Sequence, residues 1–250
     1  MERIQAAAHA AGRDPAEVQL VAVTKSASAA QAAELFDLGQ SDLAENRASA
    51  LEAKHAAFLA TGRIARWHFV GHLQRNKARR VVRLAHAIHS VDSADLWEAL
   101  VRLSKEEQRF PGLFLQVKLS AEANKTGLDP AELPALVERA RSGPLPLLGL
   151  MTLAPLSSAA TDTDQGAARA VFEHASALAR ALPANAFAEG RVRLSMGMSQ
   201  DLEEAVRAGA HLVRVGSALF EGCGVDGDGA DGDGAAGDGG ARARTGKASP

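Results

Sequence analysis

Tyrosine is absent from this chain of 250 residues, and cysteine occurs once, at Cys223. A lone cysteine excludes an intrachain disulfide and any metal cage built on several thiolates. Such usage suits a reducing cytoplasm. No apolar run approaches the ~20 residues of a membrane-spanning helix, and the opening Met1-Glu2-Arg3-Ile4 lacks the apolar core of a signal peptide. The expected location is therefore the cytoplasm, with no membrane partner. Charge of one sign is lacking too. Against 28 Lys and Arg stand 30 Asp and Glu, a net of −2 that offers no attraction to nucleic acid or anionic lipid. What the chain does have is apolar residues, 46% of the total, enough for one large core or two modest ones.

Those apolar residues fall into short runs that alternate with helical patterns. The first run, Val18 to Val23 with only Gln19 polar, reads as a buried strand. Further strands are expected near 41–45, 66–70, 86–91, 112–119, 146–152, 191–196 and 211–215. Between them, Leu133, Leu136, Val137 and Ala140 keep the i, i+3, i+4, i+7 spacing of a helix, opened by Asp129-Pro130-Ala131-Glu132 as a cap. Val171, Phe172, Ala175, Leu178, Ala179 and Leu182 repeat that spacing, as do Leu202, Ala205, Val206 and Gly209 after Ser199. Eight strand–helix units within about 220 residues match a (β/α)8 barrel of the TIM type. A doubly wound open sheet is the competitor, but no Gly-x-Gly-x-x-Gly follows the first strand. Residues 1–222 are expected to form this one barrel domain. Residues 223–250, dominated first by Gly, Asp and Ala and then by a short basic stretch, are expected to be a disordered tail.

In such a barrel the chemistry lies where strands hand over to loops. The first strand ends in Lys25, whose amine beside apolar walls could attack an aldehyde or ketone; a surface lysine capping a strand is the ordinary alternative. The second offers Glu45 and Asn46, the fourth Ser90 and Asp92, the fifth Lys118 with Asn124 and Lys125 beyond, and the sixth Met151 and Thr152. After the seventh and eighth come Ser195-Met196-Gly197-Met198-Ser199 and Arg214-Val215-Gly216-Ser217. Small residues after these two strands suit a phosphate held by backbone N–H groups, with Ser199 at a helix N-cap. His68 and His72 stand four apart, but in strand and loop rather than on a helix, and without a third ligand of suitable spacing. The basic run Arg75, Lys77, Arg79, Arg80 and Arg83 reads as a solvated helix face. His211 is expected at the bottom of the barrel.

An amine at one strand end and a phosphate cradle at the opposite lip suggest pyridoxal 5′-phosphate (PLP). The segments Leu20-Val21-Ala22-Val23-Thr24-Lys25, Ala44-Glu45-Asn46-Arg47 and Trp67-His68-Phe69-Val70-Gly71-His72-Leu73-Gln74-Arg75-Asn76-Lys77 stand in order along the chain. Asn124-Lys125-Thr126-Gly127, Gly149-Leu150-Met151, Leu194 to Ser199 and Val213-Arg214-Val215-Gly216 continue them. In these segments the chain resembles the pyridoxal phosphate homeostasis proteins, relatives of the N-terminal barrel of alanine racemase. The resemblance runs from residue 1 to about residue 222. It implies a barrel like that of fold type III PLP proteins without their C-terminal β domain.

The resemblance further implies that Lys25 holds PLP as a Schiff base. Ser195, Gly197, Ser199, Arg214, Gly216 and Ser217 would hold its phosphate and ring edge, and Asn46 and Met151 would line the pocket. Two departures stand out: Ser26 where a second basic residue often follows the lysine, and Ala44 where glycine is common. The implied role is a carrier or regulator in intracellular PLP homeostasis, without amino-acid turnover, serving apo PLP-dependent enzymes and acting as a monomer. The alternative is a PLP-dependent racemase or related enzyme. Alanine racemases take their second base from a tyrosine of another domain and subunit, and this chain has none. A third reading keeps the barrel but gives it some other phosphate ester.

Overall fold

The computed structural model describes residues 1–120, 126–155 and 162–222, with side chains of the last segment described from residue 166. Eight parallel strands close into a barrel in sequence order, the last pairing with the first. They are β1 (Gln19–Val23), β2 (Asp42–Glu45), β3 (Arg66–Phe69), β4 (Ala87–Val91), β5 (Gly112–Gln116), β6 (Leu147–Met151), β7 (Arg193–Ser195) and β8 (Leu212–Val215). Each lies within an expected strand, so the barrel is the architecture and the open sheet is excluded. β5 stops at Gln116, short of the expected residue 119, because the Gln116 amide nitrogen donates to Thr126 O at 2.8 Å and Val117 bridges to Leu128 outside the barrel ladder.

The helices form an outer layer whose ends are set by local side chains. They are α1 (Glu2–Ala10), α2 (Ala29–Asp37), α3 (Ala48–Ala60), α4 (Ala78–Leu84), α5 (Ala94–Glu107), α6 (Leu133–Arg141), α7 (Asp162–Ala181) and α8 (Leu202–Arg207). Ser28 and Gln31 cap α2 reciprocally. Asp129 and Glu132 do the same for a 3-10 turn over Pro130–Glu132 that runs into α6. Leu133, Leu136, Val137 and Ala140 are all buried, as their spacing requires.

Alternation along each strand divides the buried residues into two cores. Val21, Val23, Ala44, Ala87, Phe114, Met151 and Leu212 fill the barrel itself. Leu43, Leu113, Leu150, Val213 and their neighbours face outward and pack against the helices. The arginines after β3 are not a bare solvated face. Arg79 pairs with Glu106 and Glu107 of α5, Arg83 with Glu107, and Arg80 with Glu52 of α3. Arg79, Arg80 and Arg83 thus stay partly exposed but are each paired with acids on the neighbouring helices. No described helix is long and apolar enough to cross a membrane.

Candidate functional site

The C-terminal ends of β1, β7 and β8 carry the densest set of expected site residues. Lys25 lies two residues beyond Val23, exposed, and makes no hydrogen bond or ion pair with another described residue. Barrel closure pairs β1 directly with β8. The loop after β8 is therefore the neighbour of Lys25, not its counterpart across the mouth as expected. Gly216 makes that neighbourhood close: a Cβ there would stand 3.0 Å from Val23 O. In the loop after β7, Gly197 has φ +91°, and a Cβ would meet the Ala205 Cβ at 2.5 Å. Glycine serves two needs here, a left-handed backbone and close helix–loop packing.

Ser199 does not cap α8. Asp201 occupies that position, and its Oδ1 accepts from Met198 N at 2.5 Å, so this aspartate organises the loop and takes up one of its amides. Burial pushes the Asp201 carboxyl up. Ser199 Oγ instead accepts from Ala218 N at 3.5 Å, linking the loops after β7 and β8. Ser217 is exposed at the start of the turn Ser217–Leu219.

Ser195, Met151 and Arg214 lie deeper. Met151 is part of the barrel's inner core. Arg214 is buried, donating to Ser195 Oγ at 2.8 Å and to Thr152 O at 3.0 Å. Burial lowers its guanidinium to about 10, with Asp201 opposing, so it stays a cation and a donor at neutral pH. Below it a polar chain descends through the barrel. His89 Nδ1 lies 2.8 Å from Ser195 Oγ and its Nε2 lies 2.9 Å from His68 Nδ1; His68 Nε2 lies 3.1 Å from Asp42 Oδ1. Burial holds the His89 imidazole well below its ordinary range, so the ring is neutral. A neutral ring donates through one nitrogen and accepts at the other, and both capacities are used. Asp42 is further held by Arg66, Nε to Oδ1 at 2.7 Å. Ser195 is thus committed to Arg214 and His89 beneath the mouth. The link from His68 to His89 was invisible in sequence because it depends on the register of β3 against β4.

Glu45 does not reach the mouth. Ala44 points into the barrel, so Glu45 points out, where it is fully buried against α3. Its Oε1 meets Lys54 Nζ at 2.6 Å. The next residue, Asn46, is half-buried at the rim, and Gly71 after β3 packs on its backbone carbonyl. His72 Nδ1 lies 3.1 Å from Asp92 Oδ2 and well away from His68 in bonding partners. Lys118 lines a small cavity of about 160 Å³ at the end of β5 with Gln116, Ser120, Thr126 and Leu153. Ser90 Oγ is buried without a partner among the described residues. Asn124, Lys125 and the tail from Cys223 lie outside the described residues.

His211 is half-buried where β8 begins, its Nδ1 accepting from Leu194 N at 3.1 Å. Burial, aided by Arg13, lowers it to about 4. An unfolded chain takes up this proton near the ordinary imidazole value of 6.5 and the folded chain only near 4, so protons favour unfolding between these values. We expect the thermal midpoint to fall as pH drops from about 7 toward 4, with His89 contributing in the same direction. A midpoint that stays level over that range would contradict the neutral burial of both rings.

The model for "Alanine racemase, N-terminal domain" matches residues 2–223. A pyridoxal phosphate homeostasis protein of Pseudomonas aeruginosa is 40% identical over 224 residues, spanning 87% of this chain and 90% of that protein. The chain belongs to the pyridoxal phosphate homeostasis protein family. Another member, from Synechocystis, is 38% identical over 207 residues, covering 82% of this chain and 92% of its own length. Among solved structures, PipY of Synechococcus elongatus with PLP bound aligns at TM-score 0.73 and 38% identity, covering 87% of this chain and 99% of PipY. An alanine racemase from Clostridium difficile aligns at TM-score 0.65 with 12% identity, which shows the shared barrel alone.

Proposed function

We propose that this chain binds PLP reversibly and serves intracellular PLP homeostasis, with Lys25 as the attachment residue. The observation that carries this reading is the close approach of Gly216 to Val23, which brings the backbone of the loop after β8 directly beside the strand that leads into Lys25. A primary amine and a phosphate cradle then share one lip of the barrel. The residues present suit the cofactor. Backbone around Gly197, Ser199, Gly216 and Ser217 would hold the phosphate, Arg214 would present N–H groups to the ring edge, and Asn46 would line the pocket. When bound, PLP supplies an aldehyde that condenses with a primary amine. Met151 and Ser195 support this floor from below, with Ser195 holding Arg214 in place.

The same reading makes the protein a carrier. Racemisation needs proton transfer at both faces of the substrate's α-carbon, and each positioned acid or base is worth about 10²–10⁴-fold. His68 has both ring nitrogens engaged, by Asp42 and by His89, within the barrel, so it is not available as a second base; His72, bonded to Asp92 through Nδ1, is joined to Lys25 by no contact among the described residues. The proposal extends to a cytoplasmic, monomeric protein that passes PLP to apoenzymes. The test is borohydride reduction of the PLP-loaded protein followed by peptide mapping. Modification at Lys25 is expected; modification confined to any other lysine would overturn the assignment. Ser199→Ala should weaken PLP binding only mildly, by about two- to fivefold, as expected for one neutral hydrogen bond. A loss of about 100-fold would mean that the hydroxyl, not the backbone, dominates the cradle.

A further inference from the structure

Behind the mouth, on the outer side of the sheet, a buried ammonium joins the ends of β1 and β2. Lys54 comes from α3, and its Nζ donates to Glu45 Oε1 at 2.6 Å and to Thr24 O at 2.5 Å. Thr24 Oγ1 donates to the same Glu45 oxygen at 2.5 Å and lies 3.2 Å from Ala44 O. Thr24 and Glu45 are fully buried, and Lys54 nearly so. Thr24 N meanwhile donates to Ala44 O at 2.9 Å. One cation thus gathers a carboxylate and a backbone carbonyl from adjacent strands at the point where each strand ends.

The carbonyl is the informative partner. Thr24 C=O and Lys25 N–H belong to one planar peptide unit, so fixing Thr24 O fixes the nitrogen and the Cα position of Lys25. Glu45 stands in the same relation to Asn46, one residue on. A buried ion pair is seldom a net source of stability, because desolvating both charges offsets their attraction. This pair is also incompletely satisfied, since Glu45 Oε2 is buried without a partner among the described residues. Its contribution therefore lies in geometry.

We propose that the Lys54–Glu45 pair is a positioning device for the reactive lysine: it aims Lys25 by clamping the carbonyl of Thr24. Neither residue touches the mouth, so neither is a catalytic or ligand-contacting group. The inference rests on Lys25 being the PLP attachment residue.

The test separates aim from cradle. Pyridoxamine 5′-phosphate has the same phosphate and ring as PLP but no aldehyde, so it reports the cradle alone. Two variants are compared with wild type at a temperature well below unfolding. Glu45→Leu with Lys54→Met replaces the pair by apolar groups of similar size. Lys54→Arg keeps the charge but replaces the compact ammonium by a larger planar group, and guards against failure of the first variant to fold. The covalently attached fraction of PLP, trapped by borohydride, should fall in the folded variants. The attachment equilibrium should weaken about tenfold or more, the worth of one hydrogen bond to a charged group, while pyridoxamine 5′-phosphate affinity stays within about twofold. Attachment equal to wild type in a folded variant would overturn the proposal. So would an equal loss of both ligands, which would mark general loosening of the barrel. If wild type itself attached PLP elsewhere than Lys25, the functional reading would fail first, and the parallel wild-type sample shows it.

Discussion

Replacing Lys25 by alanine should abolish covalent attachment of PLP and leave the thermal midpoint of the protein nearly unchanged. The two halves of this result have separate causes. In the proposed function Lys25 supplies the amine, while Lys54 faces the opposite side of the sheet, bound to Glu45 and Thr24 O. Lys118 borders a separate small cavity after β5. Stability is spared because Lys25 is exposed and has no bonding partner among the described residues. Surface changes of this kind usually move stability by less than about 0.5 kcal/mol. Retained visible absorbance of a PLP-loaded Lys25→Ala protein, with the adduct mapped to Lys118, would relocate the site.

A branched side chain at Gly216 should have the next largest effect. The added Cβ would lie 3.0 Å from Val23 O and 3.4 Å from Val23 Cβ, so even alanine is tight and valine pushes β8's loop away from β1. Overpacking of this kind costs about 1–3 kcal/mol, and here the displaced atoms are the proposed phosphate ligands. Gly216→Val should therefore weaken PLP about tenfold or more. It should leave the much weaker binding of pyridoxal, which has no phosphate, almost unaltered. Gly197→Ala makes the contrast. Its φ of +91° and the 2.5 Å approach to Ala205 Cβ put the penalty in the fold, so its thermal midpoint should drop. If Gly216→Val lowered pyridoxal and PLP binding alike, the loop after β8 would not be holding the phosphate.

Much of the barrel was legible in the chain because its signals are local. Strands buried on both faces read as apolar runs such as Leu20 to Val23, and helix starts announce themselves at Ser28 and Asp129 through their own side chains. The place of Lys25 just beyond the first strand was legible for the same reason, as a polar residue after such a run. The errors came where the answer depends on partners distant in sequence. Closure of β8 onto β1 placed the loop after β8, expected across the mouth, beside Lys25. Ser199 looked like a helix cap until Asp201, two residues later, took that position. Glu45 looked like a mouth residue, although alternation from inward-facing Ala44 already turned it outward. Its partner Lys54 carried no signal at all, because a strand-to-helix pair needs the packing angle of α3 and not only the spacing. The His68–His89–Ser195–Arg214 chain crosses four strands and could be assembled only from their registers.

The central claim is that PLP is held here and handed on without amino-acid turnover. Its most direct test is deuterium exchange at the α-carbon, with chiral analysis, across the common amino acids in the presence of PLP-loaded protein. With His68 tied to Asp42 and His89 and no tyrosine in the chain, only slow background exchange is expected. Exchange or racemisation of any amino acid at ~1 s⁻¹ or faster, within the ordinary range of enzymes, would contradict the carrier reading.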